Sequence, residues 1–340
     1  MDLVFLLLCK GRCVLMCWYF MTIPEHFKKI LSENQILIVL LALMAGLIFP
    51  SFFQPLNRFS THLLILVFFT SSLRLSLHET MEYAKDWRLL LISTVFMLVV
   101  MPLALYYPFS FISREWAIAL LIIGAMPTGV TIALIADFFG GKTVLALLIT
   151  TATSLLAPLT IPLIFALTVG QSVPIPLLPM FLSLVMTIIL PFVLAMLTKR
   201  AAPKFMTRHD NAWRLISVIA FGLLIAGIVA DTAGDTILSF SPRDAAILTL
   251  VILWLGVLTW LSYKLVWWRA VNERITVALC MVYLNNTLAL FIGNRFFSHQ
   301  GVMPKLLLLL LMVNVLLPPI KWAAAHLNNA THPINTNPFT

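Results

Sequence analysis

The amino-acid sequence predicts an all-α polytopic membrane protein of ten transmembrane helices, arranged as a five-plus-five inverted repeat. Three observations carry this. Sixty-one per cent of the residues are hydrophobic and only 10% are charged, a balance foreign to soluble domains. Apolar runs repeatedly reach the ~18 residues that mark a membrane helix. The cations also segregate: with ten spans, 17 of the 22 Lys and Arg residues fall on the side holding both termini and five on the other.

Residues 1–33 form an N-terminal extension. Its apolar runs, Val4 to Leu8 and Val14 to Met21, are split by Lys10 and Arg12 and are too short to span. Either the natural start is Met21, or this stretch is an interfacial helix. Spans are then expected at about 34–53, 62–77, 89–107, 116–139, 143–169, 177–197, 213–231, 246–267, 275–297 and 302–325. Short connections such as Pro55-Leu56-Asn57-Arg58, Lys85-Asp86-Trp87-Arg88 and Ser241-Pro242-Arg243-Asp244 separate them. The uncharged Gly170-Gln171-Ser172-Val173-Pro174 divides repeats 34–169 and 170–325. Five spans is an odd number, so the second repeat enters the bilayer inverted. A polar tail, 326–340, is expected to be disordered.

The positive-inside rule places both termini in the cytoplasm and the chain as a multi-pass protein in the plasma (inner) membrane. The formal charge of +9 is therefore loop charge, and no nucleic-acid partner is expected. Tryptophans such as Trp87, Trp116, Trp213 and Trp267 sit at span ends as an aromatic belt. Cys9, Cys13, Cys17 and Cys280 have no metal-ligand spacing, so neither disulfide nor metal is expected.

Two spans are interrupted. In the fourth, Gly124-Ala125-Met126-Pro127-Thr128-Gly129-Val130-Thr131 breaks an apolar run. Pro127 lacks an N–H and clashes with the preceding turn. The feature is either an ordinary kink or a break that lines a wet cavity, the strongest sequence pointer to a transporter site. Span nine, the repeat partner of span four, carries Tyr283-Leu284-Asn285-Asn286-Thr287. Asparagines in a membrane interior need partners, found on a neighbouring helix or on a solute.

With these residues in hand, the chain from about Asn34 to Ala325 resembles the bile acid:sodium symporter family. The likeness is carried by Met126-Pro127-Thr128-Gly129, Gly141, the run Thr150-Thr151-Ala152-Thr153-Ser154 through Pro158, Pro162, Phe165 and Gly170, the Asn285-Asn286-Thr287 stretch, and Met101-Pro102. The resemblance implies a panel of spans 1, 2, 6 and 7 and a core of spans 3–5 and 8–10. In that core, helices four and nine are unwound and cross, substrate sits beside the crossing, and core moves against panel. It also implies sodium ligands, and there the sequence departs. The family's Ser-Asn pair after the helix-four break is here Ile132 and Ala133, its helix-nine glutamate is Met281, and its helix-three glutamine falls near Met97. Those side chains offer a hard cation no oxygen. Backbone carbonyls with Thr150, Thr151 or Asn285 could hold a weak sodium site, but two family-type sites are not expected, and no other cofactor is.

The expected function is secondary active transport of a small organic solute, an organic anion by the likeness. Thr128, Gly129 and Thr131 would serve on one arm of the crossing. Tyr283, Asn285, Asn286 and Thr287 would serve on the other, with Thr150 and Thr151 behind. Asp137 is the one carboxylate well inside a span; it takes either a proton or substrate role, or reaches the headgroups and pairs with Lys142. Proton-linked or uncoupled transport, and a non-transporting sensor or assembly subunit, are the alternatives. No nucleophile–base pair supports an enzyme. Oligomeric state is not legible.

Overall fold

The computed structural model describes residues 35–73, 86–129, 132–170, 176–237, 241–297 and 301–313. The expected extension 1–33, the tail 326–340 and Thr131 lie outside them. The described residues form helices, with a single isolated backbone bridge between Thr128 and Leu284.

In chain order these are α1 (Gln35–Ile48), α2 (Pro50–Phe53), a tight helical turn (Gln54–Phe59), α3 (Ser60–Ser72), α4 (Trp87–Val95) and α5 (Met101–Ser110). There follow α6 (Arg114–Gly124), α7 (Ile132–Phe138), α8 (Thr143–Thr168), α9 (Leu177–Leu184), α10 (Leu190–Ala201), α11 (Pro203–Arg208) and α12 (Asp210–Ile237). The described residues close with α13 (Pro242–Leu265), α14 (Val271–Val282), α15 (Asn286–Phe296) and α16 (Val302–Val313). Among the described residues, five continuous helices are long and apolar enough to cross a bilayer: Trp87–Ser110, Thr143–Thr168, Leu177–Ala201, Ala212–Thr232 and Pro242–Leu265.

Proline shapes several of these. Phe49, held out of helical geometry at φ −121°, ψ 55°, precedes Pro50. The chain bends there by 104° between Ile38–Ile48 and Pro50–Ser72. The connection expected at residues 55–58 is thus not an open loop: it lies in the helical turn Gln54–Phe59, continuous with α2 and α3. Two wide π-turns, Phe96–Val100 and Val185–Ile189, stand two residues before Pro102 and Pro191. At each, the residue before the proline donates its N–H to a carbonyl five residues back, Met101 to Phe96 and Leu190 to Val185. The added residue takes up the ring's clash with the preceding turn.

Two groups of helices can be traced through their contacts. α12 packs on α1, α3 and the Gln54–Phe59 turn, and α10 packs on α3. In the other group α5 packs on α6, α13 on α14, and α8 on α4, α7 and α14. The groups share one hydrophobic core, with α9 packed on α8 and α15 touching α12 and α3.

Candidate functional site

The two interrupted segments meet. The Gly129 N–H donates to the Tyr283 carbonyl at 2.8 Å, and the Asn285 N–H donates to the Pro127 carbonyl at 2.9 Å. Residues 127–129 and 283–285 therefore run antiparallel for one rung. Breaking a helix frees backbone donors and acceptors that a dry interior cannot tolerate. Here each break answers the other. The approach requires a glycine, because a Cβ on Gly129 would lie 2.9 Å from the Tyr283 ring.

Thr128 is wholly buried, and its hydroxyl donates to Met97 Sδ (3.1 Å) and faces the Cys280 carbonyl (3.4 Å). The Asn285 side chain caps α15 by accepting from the Leu288 N–H at 3.1 Å. Tyr283 and Thr287 are buried and Asn286 half-buried. The Asn286 Oδ1 is buried with no hydrogen-bond partner among the described residues. Thr150 and Thr151, on α8, donate to the carbonyls of Ala146 and Leu147 one turn back (both 2.8 Å), which leaves only their lone pairs for another group.

Asp137 is exposed near the far end of α7. The Lys142 ammonium lies 2.9 Å from Glu273 Oε1. Glu273, in the first turn of α14, is buried. The positions that the sequence resemblance matches to sodium ligands hold apolar side chains. Met97, Ile132 and Met281 are wholly buried and Ala133 is half-buried. The Met97 sulfur is engaged by Thr128.

Sequence reading passed over two features. Ser93 and Thr94 are buried in α4 with hydroxyl oxygens that have no partner among the described residues. Ser93 is one turn before Met97 on the same helical face. Their only signal was a Ser-Thr pair inside an apolar run. The second feature is a pair of ionic clusters. In one, Glu273 accepts from Lys142 and from Arg269 Nε (2.7 Å), Arg269 also holds Asp86, and Thr276 Oγ1 accepts the Lys142 N–H (2.7 Å). In the other, buried Lys305 lies 2.9 Å from Asp244 and 3.9 Å from Glu115, and Trp116 Nε1 donates to Asp244 at 2.7 Å. This second cluster borders a recess of about 450 Å³.

No curated protein matches the chain. The profile described as the Sodium Bile acid symporter family matches residues 61–240. That region takes in the first interrupted segment and α8 and stops before the second interruption, which the geometry pairs with the first. The chain belongs to the sodium bile acid symporter family and is a multi-pass membrane protein of transporter type.

Proposed function

We propose that the chain is a secondary active transporter of a small organic anion that works by alternating access. The observation that carries the proposal is the reciprocal backbone pairing of the two helix breaks. Such a crossing leaves half-helices ending in the protein interior. The amino end of α15, with its positive dipole, favours an anionic group beside it. Thr128, Gly129 and Thr131 would face solute from one arm, and Tyr283, Asn285, Asn286 and Thr287 from the other. Thr150 and Thr151 would supply oxygens behind them. Asp137, exposed on α7 away from the crossing, would act at the mouth of the pathway.

In this reading the chain has ten spans, with α1–α3 and α9–α12 forming the panel and α4–α8 with α13–α16 the core. The two packing groups support that division. The ionic clusters support the inverted repeat. One draws on spans three, five and nine (Asp86, Lys142, Glu273), the other on spans eight, ten and four (Asp244, Lys305, Glu115). Exchanging the repeats turns each set into the other. Loop charge supports cytoplasmic termini.

A specific observation favours transport without the family's sodium coupling, by a proton-linked or uncoupled route: Met97, Ile132 and Met281 are buried apolar side chains where sodium ligands would stand. Uptake of an organic-anion panel into proteoliposomes tests both parts. Saturable flux of at least one anion is expected, unchanged when a sodium gradient is replaced by potassium. Sodium-driven flux would overturn the coupling argument. Flux of no anion, with a partner co-purifying, would replace the transporter with a sensor or assembly subunit.

A further inference from the structure

A short polar chain links the two packing groups at one end of the molecule. Asn294, near the end of α15, donates from Nδ2 to Asn57 Oδ1 at 2.9 Å. Asn57, in the Gln54–Phe59 turn, donates from its own Nδ2 to Asp231 Oδ2 at 2.7 Å. Gln54 adds a second donor to Asp231 at 3.4 Å. Beside it, Arg295 Nη1 donates to Thr61 Oγ1 of α3 at 2.9 Å. In the orientation set by loop charge this is the outer end.

We infer that Asn294–Asn57–Asp231, with Arg295–Thr61, is a releasable outer latch whose closure seals the crossing from the external side. The inference rests on the alternating-access reading. Three observations carry it. The members on each side are held firmly by their own group. A Cβ on Gly227, one turn before Asp231, would come within 3.2 Å of the Asn57 amide nitrogen, so the turn is pressed onto α12. A Cβ on Gly293, next to Asn294, would come within 2.4 Å of Leu306, so the end of α15 is pressed onto α16. Second, the hydrogen bonds that cross between the groups at this end are polar, Asn294 to half-buried Asn57 and exposed Arg295 to Thr61. Water can replace each partner when these bonds open, so their opening costs little net free energy. The Glu273 carboxylate and the Lys305–Asp244 pair are buried inside one group, where separation leaves uncompensated charge. The exposed chain gives way first. Third, the connection is serial: Asn57 accepts from Asn294 of the other group and donates to Asp231 of its own, which fixes its amide for that bond, so loss of Asn57 removes both bonds.

The test uses the full chain in right-side-out membrane vesicles, with native cysteines replaced by alanine and Asn286→Cys as the reporter. The probe is a membrane-impermeant maleimide added outside. Asn57→Ala and Asp231→Ala should each speed labelling roughly three- to ten-fold, as expected for loss of a few modest hydrogen bonds in a two-state balance. Asn57→Asp should speed it further by setting two carboxylates against each other. Combining it with Asp231→Asn restores a complementary pair and should return labelling to the starting rate. Labelling indifferent to all these changes overturns the latch. None of these readouts needs a substrate. Altered labelling, with no flux by the parent chain in proteoliposomes, therefore removes the transport reading and keeps the latch, and unaltered labelling with flux by the parent chain removes the latch alone.

Discussion

Gly129 is where residue chemistry and architecture meet most tightly. A Cβ there would stand 2.9 Å from two ring carbons of Tyr283 and 3.3 Å from the Leu284 carbonyl. The second contact is backbone and the ring is buried, so neither neighbour yields easily. Gly129→Ala should cost about 1–3 kcal/mol by overpacking. The loss should appear as a lower melting temperature of the detergent-solubilised protein. Tyr283→Ala removes the obstructing ring, so the double variant should lose less than the sum of the two single losses. Strict additivity would mean that the ring is not what demands glycine. This position was legible in sequence because a Pro-x-Gly break follows from backbone chemistry alone. The roles of Thr150 and Thr151 were not. A hydroxyl proton can go to a solute or to the carbonyl one turn back, and only the fold reveals that both donate to the carbonyl and keep their lone pairs for another group.

Elements divide along the same line. The apolar runs from residue 87 onward were readable, since a membrane helix declares itself by length and composition. The 104° bend at Pro50 and the helical turn that follows were not. Gln54–Phe59 carries a proline, an asparagine and an arginine, which read as a loop, yet packing against α12 keeps it helical. The π-turns were equally hidden: Pro102 and Pro191 announce a disturbance but do not say whether the helix kinks, breaks or widens. Helix contacts of this kind rest on small residues. A Cβ on Gly46 of α1 would approach the Ala226 carbonyl to 2.7 Å, whereas one on Gly256 of α13 would meet nothing within 4 Å. Gly46→Ala should therefore push α1 off α12 and destabilise by about 1–3 kcal/mol. Gly256→Ala should stabilise by roughly 0.5–1 kcal/mol through helix propensity. Thermal unfolding of the two variants beside the parent measures both signs. Equal behaviour would deny that α1 and α12 pack at glycine distance.

Across the whole molecule, the inverted plan was inferred from the parity of spans and the placement of two polar interruptions. The joining of those interruptions is a long-range fact that no local pattern contains. The ionic clusters are of the same kind: Lys142 and Glu273, or Glu115 and Lys305, are unremarkable in sequence and meet only through the crossing. Sodium dependence is the point at which the proposed function departs from the family's name. An ion that binds only the folded state raises stability by RT ln(1 + [L]/Kd), about 2.7 kcal/mol at a hundredfold excess over Kd. A working sodium site would therefore show as a saturable rise in melting temperature when sodium replaces potassium at constant ionic strength. Met97, Ile132 and Met281 supply no side-chain oxygen, and the Met97 sulfur is already engaged by Thr128. The melting temperature should accordingly be indifferent to the exchange. Met97→Gln with Met281→Glu returns two oxygen-bearing side chains to the crossing, and should introduce a sodium-dependent rise that the parent lacks. A saturable rise in the parent would mean that backbone carbonyls and the lone pairs of Thr150, Thr151 or Asn285 suffice, and would restore sodium as the driving ion.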